Sequence, residues 1–385
     1  MPLETCDVAI VGASPAGLAA AHACVSDGLD TILVEAGEIG RPEPPAVVGF
    51  DRLWPQTWAP PDGARRSTFE EVTVTMPGGH PITVQAPGVI VDRTRFDRWG
   101  ADRARSTGAE VHEETGPWEV LGPGRLAGPA GEVAADVVVF ADGADSIASA
   151  LVDPVEAPEH RVWGITHEIG VDAREGPLAI GVGDQAPGGR TQVVPLDETT
   201  AWHWTFVRRK RSQAIEQAEQ ALAATAERRG WSPSVVDEAQ RRHVAPDPTL
   251  QRPARLAGPR TLVAGGAGGL GGLEVGLATG RMAGQAAVEA VLGDDPPQAA
   301  LETYAERCRQ RYAPAYRGLD RLFRLADRTP DEVLAALARP QTGRELALGE
   351  VAGLVGDGRE RWSTLAALTV GGLAERARSR LVSLS

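Results

Sequence analysis

Lysine is almost missing from this chain. Lys210 is the only one among 39 basic residues, which excludes any mechanism that needs a second lysine. Cysteine is nearly as scarce. Cys6, Cys24 and Cys308 lie far apart and form neither a CxxC pair nor a metal-ligand spacing, so a reduced, cytoplasmic compartment is expected. The seven histidines are scattered without an HxxxH pair, and no metal site is expected. No run of about eighteen apolar residues occurs, so no stable membrane span is expected either. The N-terminus carries no basic segment before its apolar run, which argues against a signal peptide. A basic surface is also lacking. Net charge is −13 and the pI about 5.1, which speaks against a nucleic-acid partner. The one basic run, residues 208–211, follows a strand-like segment and reads as a solvated edge or helix entry.

What is present is globular. The 385 residues are 42% hydrophobic and 24% charged, suited to two or three domains, some of them discontinuous. Residues 7–35 read DVAIVGASPAGLAAAHACVSDGLDTILVE. A short β-rich run ends at Gly12. An alanine-rich helix pattern follows over 15–25, with Gly28 at its end, then a second strand over 31–34, and then Glu35. This is a dinucleotide-binding βαβ unit. Gly12 makes the tight turn, and Gly17 lets helix and strand pack closely. The amides at the helix start, around Ala16, meet a pyrophosphate with the positive end of the helix dipole. Glu35 can accept hydrogen bonds from a ribose diol. The middle glycine of GxGxxG is Ser14, whose Cβ stands where the backbone should approach the phosphate and whose hydroxyl could donate to it instead.

Three later segments extend the pattern. A strand leads into a helix from Arg95 within 89–111, containing RTRFD with Arg93 and Asp97. A strand within 131–146 ends in ADGADS, with Asp142 and Gly143. Residues 262–284, LVAGGAGGLGGLEVGLATGRMAG, hold nine glycines. They read as a strand, a tight passage through Gly265 and Gly266, and a helix starting near Gly271 or Gly272. Gly276 and Gly280 would let that helix press on a neighbour. In order and spacing these segments resemble the p-hydroxybenzoate hydroxylase-like flavoproteins, and within them most resemble the geranylgeranyl reductase family. That resemblance implies FAD. It places adenine and ribose near Glu35 and Ala36, pyrophosphate near Ser14 to Gly17, Arg93 near the cofactor's middle, Asp142 and Gly143 beside the pyrophosphate, and the late glycines along the ribityl chain. Against the family pattern, Ser14, Phe140, Ser149 and Gly266 are altered, and the loop after GGAGG is cut to Leu270. The family's cysteine after the first βαβ unit is absent, with IGRPEPPAVVGF in its place.

Residues 65–85 read as a β-hairpin, and four alternating runs fill 161–207. They suggest a mostly antiparallel sheet of five or six strands, roofing the flavin and forming a substrate pocket. Alternation puts Trp163, Ile165, His167 and Ile169 on one face. It puts Trp202, Trp204 and Phe206 on another, with His203 opposite. Trp163, His167, Gln192, Trp202 and Trp204 are the candidate pocket residues, and His167 and His203 the candidate proton donors. The plainer roles are sheet packing for the tryptophans and buried hydrogen bonding for the histidines. An amphipathic helix over 212–229 is expected to cover the sheet, and 298–385 reads as mostly helical.

The fold class is therefore α/β, or α+β overall. A Rossmann-type FAD-binding domain (1–60, 89–155 and 255–297) is interleaved with a mostly antiparallel β-sheet substrate domain (61–88 and 156–254), followed by C-terminal helices (298–385). The expected activity is FAD-dependent reduction of a carbon–carbon double bond in an apolar, isoprenoid-like small molecule. Hydroxylation of an aromatic or polycyclic compound by a flavin monooxygenase is the first alternative. A non-redox cyclase or isomerase on a degenerate flavoprotein scaffold is the second. Flavin halogenation is disfavoured, because the WHW at 202–204 lacks the following Ile-Pro and a suitable lysine. The reductant, NADH, NADPH or a separate reductase, is left open, as is the choice between monomer and homodimer.

Overall fold

The computed structural model describes residues 3–41, 46–55, 57–75, 81–129, 131–152, 162–171, 178–183, 186–246, 255–294 and 296–328. In chain order its elements are β1 (Leu3–Val11), α1 (Pro15–Ser26), β2 (Thr31–Val34), β3 (Ala46–Phe50), β4 (Arg65–Thr75), β5 (Pro81–Asp92), α2 (Arg93–Thr107), β6 (Glu110–His112), β7 (Glu119–Gly122), β8 (Arg125–Gly128) and β9 (Gly131–Phe140). There follow β10 (Val162–Gly170), β11 (Leu178–Gly183), β12 (Ala186–Pro195), β13 (Thr200–Arg208), α3 (Arg211–Arg229), α4 (Ser234–Asp237), β14 (Gln240–Pro246), β15 (Ala257–Gly258), β16 (Thr261–Val263), α5 (Leu273–Leu292) and α6 (Pro297–Arg328). The chain divides into two compact units. One comprises Met1–Arg66, Val89–Glu159 and Pro246–Ala313, the other Ser67–Gly88, His160–Ala245 and Pro314–Ser385.

The first unit is built on a sheet of order β15-β16-β9-β1-β2-β6, parallel from β16 to β6. Residues 8–11 of β1 and 137–140 of β9 are continuous buried apolar runs, as a parallel sheet covered on both faces requires. Register aligns Val263, Phe140, Val11, Val34 and His112 in one row across the sheet. Phe140, one of the altered positions, is thus a fully buried member of this row.

Pro15 opens α1 at a position where its missing N–H is no loss. Alanines carry the helix and keep it thin. That matters on the side facing α5. A Cβ built on Gly280 would lie 2.0 Å from the Ala16 carbonyl oxygen, and one on Gly284 would lie 2.6 Å from that of Ala20. At Gly276 the nearest atom is Ala16 N, 4.0 Å away. The close approach read in the glycine-rich helix is real, but the pressed pair is Gly280 and Gly284, one turn later than expected. Helix α2 begins at Arg93, not Arg95, because the Asp92 carboxylate caps the Arg95 amide at 3.1 Å.

The second sheet runs β14-β10-β13-β12-β11-β4-β5-β3. The β11–β4 pairing is parallel, while β10–β13, β12–β13 and β11–β12 are antiparallel. It has two strands more than the longest sheet expected from alternation. The arginines of β14 hide its strand pattern, and β3 is short. Ala214 and Ala218 of α3 pack on Ile165 and Val207, and Leu222 packs on Ile169, Val193 and Ala201, so α3 covers one face. Helices expected within 329–385 and the hairpin turn at 76–80 lie outside the described residues. Among the described residues, no helix is long and apolar enough to cross a membrane, and no cluster of His, Cys, Asp or Glu could hold a metal.

Candidate functional site

The parallel sheet presents a crevice at its carboxyl edge. Strand order reverses at β1, with β2 and β6 to one side and β9 and β16 to the other, which is where open α/β sheets bind ligands. The ladder continues one residue past the strand ends. Gly12 N donates to Val34 O at 2.8 Å, Ala141 N to Val11 O at 2.7 Å, Ala264 N to Phe140 O at 2.9 Å, and Glu35 N to His112 O at 2.8 Å. Four loops therefore leave the sheet side by side, carrying Ser14, Glu35, Asp142 and the 265–272 glycines.

Gly12 and Gly17 are required by backbone contact. A Cβ on Gly17 would lie 1.9 Å from Gly12 O, and one on Gly12, at φ +97°, would lie 2.7 Å from Ala141 O. Ser14 is the N-cap of α1 and accepts from Gly17 N at 3.4 Å. Its hydroxyl donates to Ala141 O at 2.7 Å, so the proton expected to serve a phosphate instead ties the β1 and β9 loops together. Ala16 is buried beneath the loop, and Ala36 is exposed beyond Glu35. Glu35 accepts from Ala13 N at 2.7 Å and Gly37 N at 3.0 Å. Those two bonds leave lone pairs on a carboxylate that has about four such sites.

Arg93 is forked on Asp97, Nε to Oδ1 at 3.0 Å and an Nη to Oδ2 at 2.9 Å. Its charge is matched within α2. Burial pushes the Asp97 carboxyl upward against the pull of Arg93. Asp142 accepts from Ser146 Oγ at 2.5 Å and Ile147 N at 2.8 Å, and burial raises it as well. It thus caps its own turn, with Gly143 at φ +90° next to it. Ser149, the altered arginine position, bonds only locally, its hydroxyl donating to Ser146 O.

In the late glycine segment, Gly265 N donates to Thr279 Oγ1 at 3.1 Å and Gly269 N to Gly266 O at 3.1 Å. Leu270 N donates to Gly265 O at 2.9 Å, which closes the shortened loop. Gly271 is buried, and Gly272 is the exposed N-cap of α5, with no side chain capping the helix start. One residue was not singled out from sequence: Glu274, buried in the first turn of α5 and accepting from Phe50 N at 2.7 Å. The signal was a lone acid in an otherwise apolar, glycine-rich helix start.

In the second unit the five candidate pocket residues separate. Trp163 and His167 lie on the face covered by α3, with His203, Thr205 and Val207. Gln192, Trp202 and Trp204 share the opposite face. There Trp202 and Trp204 stack at 5.9 Å, and Phe206 meets Trp204 edge-on at 5.8 Å. Period two sorted side chains within each strand correctly, but which face the helix covers is a tertiary matter. Trp163 and His167 are therefore removed from the candidate pocket.

The histidines are unsuited to give a proton near neutrality. His203 is fully buried, with Nε2 3.1 Å from Thr225 Oγ1 of α3, and burial lowers it to about 3. Burial lowers His167 to about 4. Both are neutral near pH 7, His203 hydrogen-bonded to α3 and His167 with a buried Nδ1 that no described residue reaches. Their folded values lie below the unfolded value of about 6.5, so the unfolded chain takes up protons first as pH falls. Stability is full above about pH 6.5 and declines through the acid range, by on the order of 3 kcal/mol per histidine by pH 4. Urea-unfolding midpoints across that range check this. Replacing both with glutamine should flatten the profile, and an equally steep profile in the double variant would refute the assignment.

No protein-family model matches the chain. It is 29% identical over 338 residues to digeranylgeranylglycerophospholipid reductase 1 of Methanopyrus kandleri, covering 80% of this chain and 88% of that one. Among solved structures it is similar to a geranylgeranyl bacteriochlorophyll reductase-like protein of Thermoplasma acidophilum, with a TM-score of 0.81, 17% identity, and 97% and 99% of the two chains covered. It is also similar to the myxobacterial FAD-dependent chondrochloren halogenase, with a TM-score of 0.65, 17% identity and coverage of 91% and 90%.

Proposed function

From the premise that this chain is an FAD-dependent oxidoreductase related to the geranylgeranyl reductases, we propose that it reduces a carbon–carbon double bond of an apolar, isoprenoid-like small molecule. The observation that carries the reading is the similarity along most of both chains to a protein named as a reductase of a geranylgeranyl lipid. The carboxyl-edge crevice fits FAD by its donor set. Glu35 has acceptor capacity left for a ribose diol, and the amides opening α1 suit a pyrophosphate. The exposed start of α5 offers a positive helix end to an electron-rich ring edge.

Bound FAD supplies hydride transfer, and the protein supplies orientation and electrostatics. Glu35 would hold the adenosine end while it keeps the Ala13 amide, and so would order the phosphate loop and the ribose together. Ser14 keeps the β1 and β9 loops at a fixed spacing through Ala141. Arg93, held by Asp97, places a matched charge pair beside the crevice rather than a free cation. The face bearing Trp202, Trp204 and Gln192 is the apolar wall suited to an isoprenoid or aromatic substrate.

Glu35→Ala removes an acceptor used by both the loop and the ribose. FAD affinity should fall about 100-fold, equivalent to two charge-assisted hydrogen bonds, with a lower melting temperature because the Ala13 and Gly37 amides lose their acceptor. Fluorescence titration of FAD checks this, and unchanged affinity would place the adenosine elsewhere. The visible spectrum of the purified protein tests the cofactor itself. No flavin bands, and none on adding FAD, would sink every flavin reading. Oxygen uptake coupled to substrate would favour the monooxygenase alternative.

A further inference from the structure

Glu274 stands apart among the carboxyls of the first unit. It is 8% exposed, and among the described residues no cation pairs with it. Fully buried glutamates are rare unless paired. Its Oε1 takes the amide of Phe50, the last residue of β3, at 2.7 Å, which joins that strand to the first turn of α5. Beyond the contact, a Cβ on Gly49 would lie 2.1 Å from the Trp54 ring, so the chain after β3 folds tightly against this point. Two residues before Glu274 is Gly272, the exposed helix start, and two residues after it is Gly276, where a Cβ would lie 4.0 Å from the Ala16 amide nitrogen in the first turn of α1.

The elements packed against α5 supply no counter-charge. Helix α1 carries His22 and Cys24, β9 carries Glu132 and Asp136, α5 itself carries Arg281 and Glu289, and α6 brings Tyr304 and Arg307 against the later turns of α5 at Met282, Gln285, Ala286 and Glu289, none of which acts on Glu274; β3, β16 and residues 265–268 carry no ionisable side chain. Burial pushes the carboxyl up to about 7, against the pull of the Phe50 amide and its own. The group is therefore poised to change charge near neutrality, where His167 and His203 are not.

We propose that Glu274 is a proton-holding positioning residue of the cofactor crevice: through the Phe50 amide it joins β3 to the start of α5, and when ionised it sets a negative charge beside the edge where FAD binds. The proposal rests on the FAD reading above. FAD carries two phosphates, so ionisation of Glu274 weakens its binding, and by linkage bound FAD raises the proton affinity of Glu274. The stability effect has the matching sign. The folded value lies above the unfolded one, so the carboxyl is accommodated at low pH and its stabilising contribution is lost as pH rises through about 7.

The test is FAD titration of the full chain and of Glu274→Gln at about pH 6 and about pH 8. The wild type should bind on the order of tenfold more weakly at the higher pH, which corresponds to about one pKa unit of linkage. Glu274→Gln should bind equally at both, close to the wild-type value at the lower pH. The same pH dependence in both proteins overturns the proposal and leaves the FAD reading intact. Absence of FAD binding by the wild type at both pH values overturns the FAD reading. Infrared difference spectra of the wild type with isotope-labelled glutamate then decide independently, even if Glu274→Gln does not fold. A protonated carboxyl that titrates near neutrality supports the assignment, and a glutamate set ionised throughout overturns it.

Discussion

Gly280→Ala is expected to destabilise the first unit by about 3 kcal/mol or more, from a single added methyl group. That methyl would stand 2.0 Å from the Ala16 carbonyl oxygen, and backbone cannot step aside as a flexible side chain can. Relief requires α1 and α5 to separate, which shifts the α1 amides at the phosphate end of the crevice. FAD affinity should fall together with stability. Gly276→Ala is the internal control. Its methyl has nothing closer than 4.0 Å, and alanine is the better helix former by about 1 kcal/mol, so this variant should be neutral or more stable. Denaturant unfolding of the two variants checks the packing. Equal effects would show that the helices cross at another point.

Asp97→Ala is the second substitution with a large expected effect. The Arg93–Asp97 pair is buried, with side-chain exposures of 16% and 5%. Removing one partner strands the other charge at a cost of about 3–5 kcal/mol. Arg93 also sits at the opening of α2, where the helix dipole opposes a cation, so Asp97 offsets two penalties at once. Replacing the pair together, as Arg93→Met with Asp97→Leu, should recover most of the loss, because matched apolar groups need no desolvation. Unfolding free energies of the single and double variants make the comparison. A double variant no better than Asp97→Ala would mean that the pair has a further partner.

The first βαβ unit was legible because its signals are local. Strand, Gly12, helix, second strand and Glu35 all fall within 29 residues, each with its own chemistry. Neither the partner of Ser14 nor the face covered by α3 was legible. Ser14 Oγ meets Ala141 O across 127 residues of sequence, a pairing that exists only because β1 and β9 lie side by side. Spacing alone suggested that the hydroxyl was free for a phosphate. Likewise, alternation fixes that Trp202 and Trp204 share a face, and that His203 opposes them, without revealing which side receives α3. Grouping His167 and Trp163 with Trp202 and Trp204 mixed two faces of one sheet.

Helix geometry behaves in the same way. The glycines of α5 announced a close approach, but Gly276, Gly280 and Gly284 are equivalent until the crossing point with α1 is known. Glu274 is harder still. A single acid in a helix start reads as a favourable dipole partner on the surface. Only the structure shows that it is buried against the end of β3, where the loss of water pushes the carboxyl upward.

The central claim is that a flavin held in the carboxyl-edge crevice passes a hydride to an isolated double bond of an apolar substrate. The most direct measurement mixes the reduced, FAD-loaded protein anaerobically with a polyprenyl compound while following the flavin absorbance. The predicted result is return of the oxidised spectrum in step with a product that has gained one hydrogen pair per double bond. A flavin that stays reduced until oxygen is admitted, and then yields an oxygenated product, would contradict it.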